Sequence, residues 1–232
     1  MHEAIILAGG LGTRLRKEVP RLPKSMAPIN DTPFLEILLK SLSNKGFTRV
    51  ILSLGYMSEI IFDHFGTSFN DLELVYVFEK KPLGTGGGIR LAIEQCASDH
   101  VYVMNGDTFL DFEVNEIEEL WNNNRQTIIV CKEISDASRY GKVVPSGNLV
   151  EGFEEKASLG PGLINAGCYI FGRHLLDDFP INKNFSIEND FLSKVVNQIP
   201  INIFISKGFF IDIGMPDDYS RAQFELADKR RY

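Results

Sequence analysis

The 232-residue sequence predicts an α/β fold in which a mixed, mostly parallel sheet is flanked by helices. Three observations support this prediction. Short apolar segments alternate with amphipathic ones through the first half, Gly and Pro mark the ends of the amphipathic segments, and the second half turns to shorter apolar segments that predict a small β-rich extension. No linker, repeat or low-complexity segment separates the halves, so we expect one domain over 1–232, with halves 1–135 and 136–232.

The first half alternates between predicted strands and predicted helices. The first helix has Thr32 at the N-cap position, Pro33 as its first residue and Gly46 just after its end. Buried strands joined by helices pair in parallel, with the helices on both faces of the sheet. The predicted strands are EAIILA, RVILSL, LELVYVF, HVYVMN and TIIVCKEI, and the predicted helices are TPFLEILLKSLSNKG, MSEIIFDHF, GTGGGIRLAIEQC and EVNEIEELWNNN.

The second half is predicted to extend and cover this sheet. KVVPSGNLVEGFEE is predicted as two strands around a Ser-Gly-Asn turn, LINAGCYIF as a strand, and INIFISKGFFIDIG as two strands joined at Lys207-Gly208. SIENDFLSKVVNQI is predicted as a helix, and PDDYSRAQFELADKRR as a closing helix that begins at Pro216. The segment GFFIDI fits either the core or an interface between copies of the chain, so a homo-oligomer stays open.

Charge and cysteine content limit which classes of binding partner and which cellular compartment we expect. The 24 basic and 31 acidic residues give a net charge of −7, which repels nucleic acid and anionic membranes but permits a small anionic ligand in a basic pocket. Cys96, Cys131 and Cys168 form no CxxC pair, so we expect buried thiols in a reducing compartment and neither a zinc site nor a disulfide framework. We expect a cytoplasmic protein, because neither a secretory leader nor an apolar segment of spanning length is visible.

A glycine-rich turn with clustered basic residues follows the first strand. The turn lacks the third glycine of a dinucleotide fingerprint and the Gly-Lys-Ser/Thr of a P-loop. Glycines still allow backbone N–H groups to approach an anion, and Arg14 and Lys24 can reach the same anion. The stretch therefore predicts a phosphate site, with a solvated surface loop as the alternative. The basic residues are Arg14, Arg16, Lys17, Arg21 and Lys24.

The segment Leu7–Leu15, together with Pro23-Lys24, resembles the opening motif of the sugar-1-phosphate nucleotidylyltransferases. This family joins an NTP to a sugar 1-phosphate and releases pyrophosphate. The resemblance implies a Rossmann-like fold of the nucleotide-diphospho-sugar transferase type, with a nucleotide-binding first half and a sugar-binding second half. It implies that Arg14 and Lys24 contact the triphosphate. The nucleotide-binding residues implied here are Leu7, Ala8, Gly9, Gly10, Gly12, Thr13 and Arg14.

Two aspartates match the metal ligands of this family. Asp107 lies in NGDTF at the end of a predicted strand, where ligands bind in open α/β sheets. Asp212 lies in DIGMPDDY, in which Gly214 and Pro216 also match the family motif. The resemblance implies that both carboxylates hold a Mg²⁺ that bridges phosphates. Without it, each aspartate would more simply belong to a turn or a strand end.

The loop EKKPLGTGGGI matches the family segment that clasps the nucleobase, so the resemblance assigns Glu79, Gly84 and Thr85 to the nucleotide. Family members that select uracil or thymine often carry glutamine where this chain has Glu79. A carboxylate accepts from the two adjacent donors of guanine but repels the acceptors that flank the single donor of uracil. We therefore expect GTP to be preferred. The alternative is an exposed ion pair of Glu79 with Lys80 or Lys81.

Three segments of the second half match the sugar side of the family. The resemblance implies that Lys156 binds the sugar phosphate and takes part in catalysis, and that Glu155 binds a sugar hydroxyl. Asn165 and Gly167 match the segment beneath the sugar ring, and Tyr140-Gly141 matches a pair beside it. Each segment alone is weak, because a Glu-Lys pair is usually surface, but their order along the chain matches the family.

The chain is most similar to the branch of D-glycero-α-D-manno-heptose 1-phosphate guanylyltransferases, in which no further domain follows. The resemblance predicts GDP-heptose as the product, made for surface polysaccharide such as capsule or lipopolysaccharide. Uridylyl or thymidylyl transfer and a mannose 1-phosphate acceptor remain open. A non-catalytic nucleotide-sugar sensor would be expected to have lost Lys24, Asp107 or Asp212, and all three are present. A glycosyltransferase of related fold would need a second carboxylate for its metal, and Asp107-Thr108-Phe109 does not supply one.

Overall fold

The computed structural model describes residues 1–10, 12–154 and 160–227, so Glu155 and Lys156 lie outside the described residues. A main sheet, two short ribbons and peripheral helices make up the described chain. The strands are β1 His2–Leu7, β2 Pro28–Ile29, β3 Thr32–Pro33, β4 Phe47–Leu54, β5 Ser68–Phe69, β6 Leu72–Phe78, β7 His100–Asn105, β8 Thr108–Leu110, β9 Ile128–Ile134, β10 Lys142–Ser146, β11 Leu149–Glu154, β12 Gly162–Gly172, β13 Asn202–Ile205 and β14 Phe210–Asp212. The α-helices are α1 Phe34–Asn44, α2 Ser58–Phe65, α3 Gly84–Ala92, α4 Val114–Asn124, α5 Ser193–Val195 and α6 Pro216–Glu225.

The main sheet is mixed, as the sequence predicts. Its strand order is β10-β11-β13-β9-β12-β7-β1-β4-β6-β5. The pairs β7-β1, β1-β4 and β4-β6 are parallel, whereas β12 runs antiparallel between β7 and β9. One sheet therefore passes through both halves of the chain. Because β1, β4, β6 and β7 run the same way, their carboxyl ends meet at one edge, where ligands bind in folds of this kind.

The core lies on both faces of this sheet. Alternate residues of a strand point to opposite faces, and Ile5 of β1 packs with α3 on one side while Ile6 packs with α1 on the other. Cys96, Cys131 and Cys168 are buried and unpaired, as expected. In the part of the chain that the structure describes, no helix combines the length and the apolarity that crossing a membrane requires.

The start of α1 differs from the sequence prediction. The helix begins at Phe34 rather than Pro33, and Thr32 pairs with Ile29 in the β2-β3 ribbon instead of capping the helix. The Phe34 N–H donates to the Ala27 carbonyl, which fixes the turn before the helix. The tertiary hydrogen bond replaces the side-chain cap that Thr32 would have supplied. Gly46 follows the helix with a φ of 80°, as predicted.

The predicted helix SIENDFLSKVVNQI is also different. Residues Ile187–Leu192 form a π-helix, and only α5 continues it as an α-helix. The Ser186 side chain caps the π-helix by accepting from the Asn189 N–H. π-Helical turns are rare and concentrate at functional sites. This one lies beside α3, at the border between the two halves.

The two strands predicted within INIFISKGFFIDIG do not pair with each other. β13 joins the main sheet beside β9, and β14 pairs with β8 in a separate antiparallel ribbon. Ile211 and Ile213 are fully buried. Gly208 lies in the connection from β13 to β14 and allows it to pass close to Asp111, since a Cβ there would lie 1.5 Å from the Asp111 carbonyl oxygen. Ile211 and Ile213 therefore belong to the core, and the partly buried Phe209 and Phe210 pack against it.

Candidate active site

The β8-β14 ribbon brings Asp107 and Asp212 together from opposite halves of the chain. Asp107 directly precedes β8, Asp212 ends β14, and Thr108 lies opposite Asp212 in the register. The Ile213 N–H donates to the Asp107 carbonyl over 2.9 Å, which fixes the backbone on both sides. Gly106 lets this turn rest on β1, because a Cβ there would lie 2.6 Å from the Leu7 carbonyl oxygen.

Lys24 lies between these carboxylates. Its ammonium pairs with Asp107, and a Cβ on Gly214 would lie 3.2 Å from Lys24 Nζ and 2.7 Å from Asp212 Oδ1. Burial raises the pKa of Asp212, and the charge of Asp107 adds to the rise against the Gly214 N–H and the Lys24 ammonium. A carboxylate whose ionised form is disfavoured by a second carboxylate nearby is stabilised when a cation binds between them.

This donor set fits a magnesium ion. Mg²⁺ is usually bound by one or two carboxylates and takes its remaining ligands from water and substrate phosphates. Asp107 and Asp212 supply that pair, and no group of three or more His, Cys, Asp or Glu side chains that could hold a metal occurs among residues 1–10, 12–154 and 160–227. A metal held here would therefore take the rest of its ligands from water and phosphate oxygens.

A cavity of about 350 Å³ opens at the carboxyl ends of β1, β6 and β7. Gly9 approaches Glu79 and Gly55 closely, because a Cβ there would lie 2.8 Å from Glu79 Oε1 and 3.1 Å from the Gly55 nitrogen. The volume falls within the range of small-molecule binding sites. Its lining includes the predicted Leu7, Ala8, Gly9, Gly10, Lys24, Glu79, Gly84, Thr85 and Asp107, with Ser25, Pro82, Asn105 and Gly106.

Glu79 is held by this cavity rather than by its lysine neighbours. Its Oε1 accepts from Ser53 Oγ over 3.1 Å, and its Oε2 accepts from the Leu83 N–H over 2.9 Å. Each carboxylate oxygen can accept twice, so one acceptor site on each oxygen remains. These two hydrogen bonds fix the orientation of the carboxylate. They favour the cavity over an exposed ion pair with Lys80 or Lys81.

The glycines of GTGGG are required by chain packing. A Cβ on Gly84 would lie 2.5 Å from the Phe185 carbonyl oxygen, and one on Gly86 would lie 2.2 Å from the Phe185 ring. The same carbonyl accepts from the Gly86 N–H over 3.0 Å, so it caps the start of α3. Thr85 Oγ1 donates to Glu188 and accepts from the Ile187 N–H. The Thr85 side chain is thus committed within the protein.

The side chains of the basic loop contact different parts of the protein. Gly12 turns against Lys24, with a φ of 59° and 3.0 Å between an added Cβ and the Lys24 Cβ. Arg14 reaches Met215 Sδ and lines a second, larger cavity, whereas Arg16 donates to the Tyr56 hydroxyl over 2.7 Å. Thr13, Lys17 and Arg21 are exposed. Within the described part of the loop, Gly12 and Thr13 line neither of these two cavities.

The second cavity, of about 840 Å³, holds the predicted Tyr140, Gly141, Asn165 and Gly167. Gly167 has a φ of 68°, and its N–H donates to Asn165 Oδ1 over 2.9 Å. The β12 ladder with β9 shifts register between Asn165 and Cys168, which turns this segment out of the sheet. Asn165 Nδ2 then donates to the Tyr169 hydroxyl over 2.8 Å. The bulge thus forms a polar floor of the larger cavity, made by Asn165 and Gly167.

The two cavities share a wall. Lys24, Asn105 and Asp107 line both, so a ligand in one meets a ligand in the other at these side chains. An ammonium ion beside two carboxylates at such a junction can bind phosphate oxygens and a divalent metal. The arrangement therefore suits the transfer of a phosphoryl-linked group between two bound molecules.

Comparison with known proteins agrees with this geometry. The sequence pattern described as nucleotidyl transferase matches residues 3–229. The chain belongs to the nucleotidyl transferase family. Two similar relatives are named D-glycero-α-D-manno-heptose 1-phosphate guanylyltransferase. The one from Aneurinibacillus thermoaerophilus is 40% identical over 97% of this chain and 98% of its own. The one from Campylobacter jejuni is 40% identical over 94% and 96%.

Solved structures give the same fold for this nucleotidyl transferase. HddC from Yersinia pseudotuberculosis complexed with GMP-PN superposes with a TM-score of 0.87 and 36% identity, over 97% of this chain and 100% of that one. The predicted fold class is therefore confirmed, as is the predicted family.

Sequence reasoning missed several polar residues of the nucleotidyl transferase site. Arg139 donates to both carboxylate oxygens of the buried Asp218, which ties the Tyr140 loop to α6. Burial and that pairing are not visible in the sequence, although Arg139 directly precedes the predicted Tyr140-Gly141. Ser25 lines the smaller cavity, and its Oγ is buried without a hydrogen-bond partner among the described residues. Glu188 is the third such residue: it lines the larger cavity and accepts a hydrogen bond from Thr85, which lines the smaller one.

Proposed function

We propose that the protein transfers the guanylyl group of GTP to D-glycero-α-D-manno-heptose 1-phosphate, giving GDP-heptose and pyrophosphate. The main support for this proposal is the junction at Lys24 and Asp107. These two residues line both the smaller cavity, which contains Glu79, and the larger polar cavity. Relatives that share 40% of their sequence over nearly the whole chain carry the name of this activity.

The reaction is an in-line displacement. A phosphate oxygen of the sugar 1-phosphate attacks the α-phosphorus of GTP, the new P–O bond forms, and the bond to the β-phosphate oxygen breaks with its electron pair leaving on pyrophosphate. The nucleophile is already an anion, so no general base is needed. What the protein must supply is alignment and the neutralisation of two anions that repel each other.

Different residues would neutralise the phosphates, hold the metal and hold the sugar phosphate. Lys24, aligned by Asp107, would neutralise the triphosphate at the junction, and Arg14 would add positive charge from the side of the larger cavity. Asp107 and Asp212 would hold Mg²⁺, which supplies electrophilic stabilisation of the phosphates when bound. Lys156, which lies outside the described residues, is proposed to hold the attacking phosphate, with Glu155 on a sugar hydroxyl.

The base would be read by Glu79. Each of its oxygens keeps one acceptor site beyond Ser53 and Leu83, which matches the two adjacent donors of guanine. The sugar would rest on the floor of Asn165 and Gly167, beside Tyr140 and Gly141. Because GTP is a cytoplasmic metabolite, we propose a cytoplasmic enzyme whose product is consumed by a glycosyltransfer step of surface polysaccharide synthesis.

Pyrophosphate release tests the proposal. The purified protein is assayed with Mg²⁺ and each of GTP, UTP, dTTP, CTP and ATP, paired with the heptose 1-phosphate or with mannose 1-phosphate. Release with GTP and the heptose phosphate alone is expected. Release with UTP or dTTP would contradict guanine selection, and release with mannose 1-phosphate alone would contradict the sugar. No release with any pair, at nucleotide concentrations that saturate binding, would favour a non-catalytic nucleotide-sugar sensor.

A further inference from the structure

Glu188 is bound by three hydroxyl groups that come from different parts of the chain. Its Oε1 accepts from the Tyr169 hydroxyl over 3.1 Å, and its Oε2 accepts from Thr85 Oγ1 and from Ser186 Oγ, each over 2.9 Å. Thr85 lies in the first turn of α3 in the first half, and Tyr169 is fully buried in β12 in the second. The carboxylate therefore connects elements that are distant in sequence.

The proton positions in this network are determined by its other members. Thr85 Oγ1 accepts from the Ile187 N–H, and the Tyr169 hydroxyl accepts from Asn165 Nδ2, so each hydroxyl hydrogen is left to point at Glu188. An ionised carboxylate, which only accepts, suits three donors. Burial and the charge of Glu188 raise the pKa of Tyr169 well above its ordinary value, which keeps that hydroxyl a donor.

Both ends of the network lie in substrate cavities. Thr85 lines the smaller cavity, and Tyr169 and Glu188 line the larger one. From Tyr169 the contacts continue through Asn165 to the Gly167 N–H. A Cβ on Gly167 would lie 2.5 Å from Asn105 Nδ2, which borders both cavities. The path thus starts beside one ligand site and ends under the other.

We propose that Glu188 is a positioning residue that sets the separation between the nucleotide side at Thr85 and the sugar side at Tyr169, and so aligns the two substrates. This inference rests on the proposed function. Alignment is the main contribution of the protein to such a displacement, and a shift of about 1 Å can cost on the order of 100-fold in rate. A partly buried network in which each hydroxyl has a hydrogen-bond partner has the stiffness that such alignment needs.

A purely structural role makes a different prediction. The segment before the π-helix is held on α3 by backbone hydrogen bonds, from the Gly86 N–H to the Phe185 carbonyl and from the Phe185 N–H to the Leu83 carbonyl. These bonds do not involve the Glu188 side chain. If Glu188 served only to hold this segment, its loss would lower the melting temperature and would affect both substrates alike.

The test compares Glu188→Gln with Asp190→Asn, a matched control. Asp190 lies in the same π-helix and accepts from the Ser186 N–H, but it is exposed and lines neither of the two cavities. For Glu188→Gln we expect kcat to fall about tenfold or more, with the KM for GTP within about threefold and a melting temperature close to that of the wild type. Thr85→Val should resemble Glu188→Gln, and Thr85→Ser should restore the rate.

Hydrogen exchange supplies a readout that does not need turnover. In the wild type, GTP with Mg²⁺ should slow amide exchange in residues 84–90 and also in 163–169, whereas Glu188→Gln should keep the first effect and lose the second. Slowing in both segments of Glu188→Gln, or a wild-type kcat, would overturn the inference while leaving the proposed function intact. Absence of turnover in the wild type, with exchange coupled as expected, would overturn the proposed function alone.

Discussion

Thr108 and Asp212 face each other across a two-strand antiparallel ribbon that joins the two halves of the chain at the site. The pairing places Asp212 beside Asp107, which directly precedes Thr108. Because each strand of the ribbon is only three residues long, the carboxylates are positioned by register rather than by a long sheet. This relationship makes the metal-binding hypothesis testable one side chain at a time.

Asp212→Asn is expected to lower kcat on the order of 100-fold or more, because it removes one of the two carboxylates proposed for Mg²⁺. Pyrophosphate release over a Mg²⁺ titration measures the loss. Asp217→Asn is the control, since Asp217 is exposed on the first turn of α6. Equal activity of Asp212→Asn and Asp217→Asn at every Mg²⁺ concentration would contradict the assignment.

Lys24→Ala is expected to remove most turnover and to leave the fold intact. Its ammonium lies at the junction of both cavities, and its role there is electrostatic, whereas the surrounding backbone is held by the Met26 N–H to Pro23 carbonyl bond. Steady-state kinetics and circular dichroism check the two parts. Lys17→Ala is the control, because it removes an exposed charge of the same loop and should have little effect on turnover. Normal turnover in Lys24→Ala would contradict the proposed role of Lys24 in neutralising the triphosphate.

The sequence predicted the parts of the fold that have a local signal. Alternating apolar segments located β1, β4, β6 and β7, and Asp107 could be placed at the sheet edge because parallel strands end there. The β8-β14 ribbon was not predictable, since three-residue strands carry no measurable period. Thr32 was assigned to the wrong element because its pairing with Ile29 is tertiary.

The site was predictable only where the family motif covers it. Glu188, Arg139 and Ser25 were missed because their importance depends on burial and on partners far along the chain. The π-helix that carries Glu188 looks like an ordinary amphipathic helix in the sequence, since apolar spacing over one or two turns does not distinguish the two.

Glu79→Gln is expected to shift base preference from GTP toward UTP or dTTP. One carboxylate oxygen becomes an N–H₂ donor, which loses a guanine donor contact; hydrogen bonds to charged groups contribute about 1.5–3 kcal/mol, so the ratio of kcat/KM should change about tenfold or more. The ratio is the readout because Leu83 also loses an acceptor in one amide orientation. Ser53→Ala disturbs the same side chain without changing its charge, and should leave the ratio close to that of the wild type.

Unchanged selectivity of Glu79→Gln would mean that backbone groups of the cavity read the base. The prediction concerns the competition between nucleotides, so it holds even if absolute activity falls. Competition assays with GTP and UTP in one reaction measure it directly.

Gly86→Ala is expected to destabilise the protein by about 1–3 kcal/mol, because the new methyl group would overlap the buried Phe185 ring. Thermal unfolding measures the change. Gly152→Ala is the control, since among the described residues no atom beyond its chain neighbours lies within 4 Å of an added Cβ there. Adding Phe185→Leu to Gly86→Ala should recover part of the loss; full stability of Gly86→Ala alone would show that the segment moves aside without cost.

His100 is expected to make stability depend on pH, far from the site. Burial lowers the pKa of His100, but hydrogen bonds and charges from Glu118 and Asp99 outweigh it and raise the pKa above its ordinary 6.5. His2 and Tyr102 also face Glu118, and Arg125 faces Asp99. Burial raises the pKa of Glu118, and its hydrogen bonds to His100 and Tyr102 bring the net shift below the ordinary value.

The sign follows from these shifts. The stabilisation by protonated His100 is fully present below about pH 6.5 and is lost as the pH rises through the higher folded pKa, whereas the part from Glu118 is lost only in acid. We expect His100→Gln to melt about 2–4 °C below the wild type near pH 6, for a loss of about 1 kcal/mol, and the gap to narrow toward pH 9. His174→Gln, with an 82% exposed side chain, is the control. A gap that widens with pH would contradict the assignment, because it would mean that neutral His100 contributes the stabilisation.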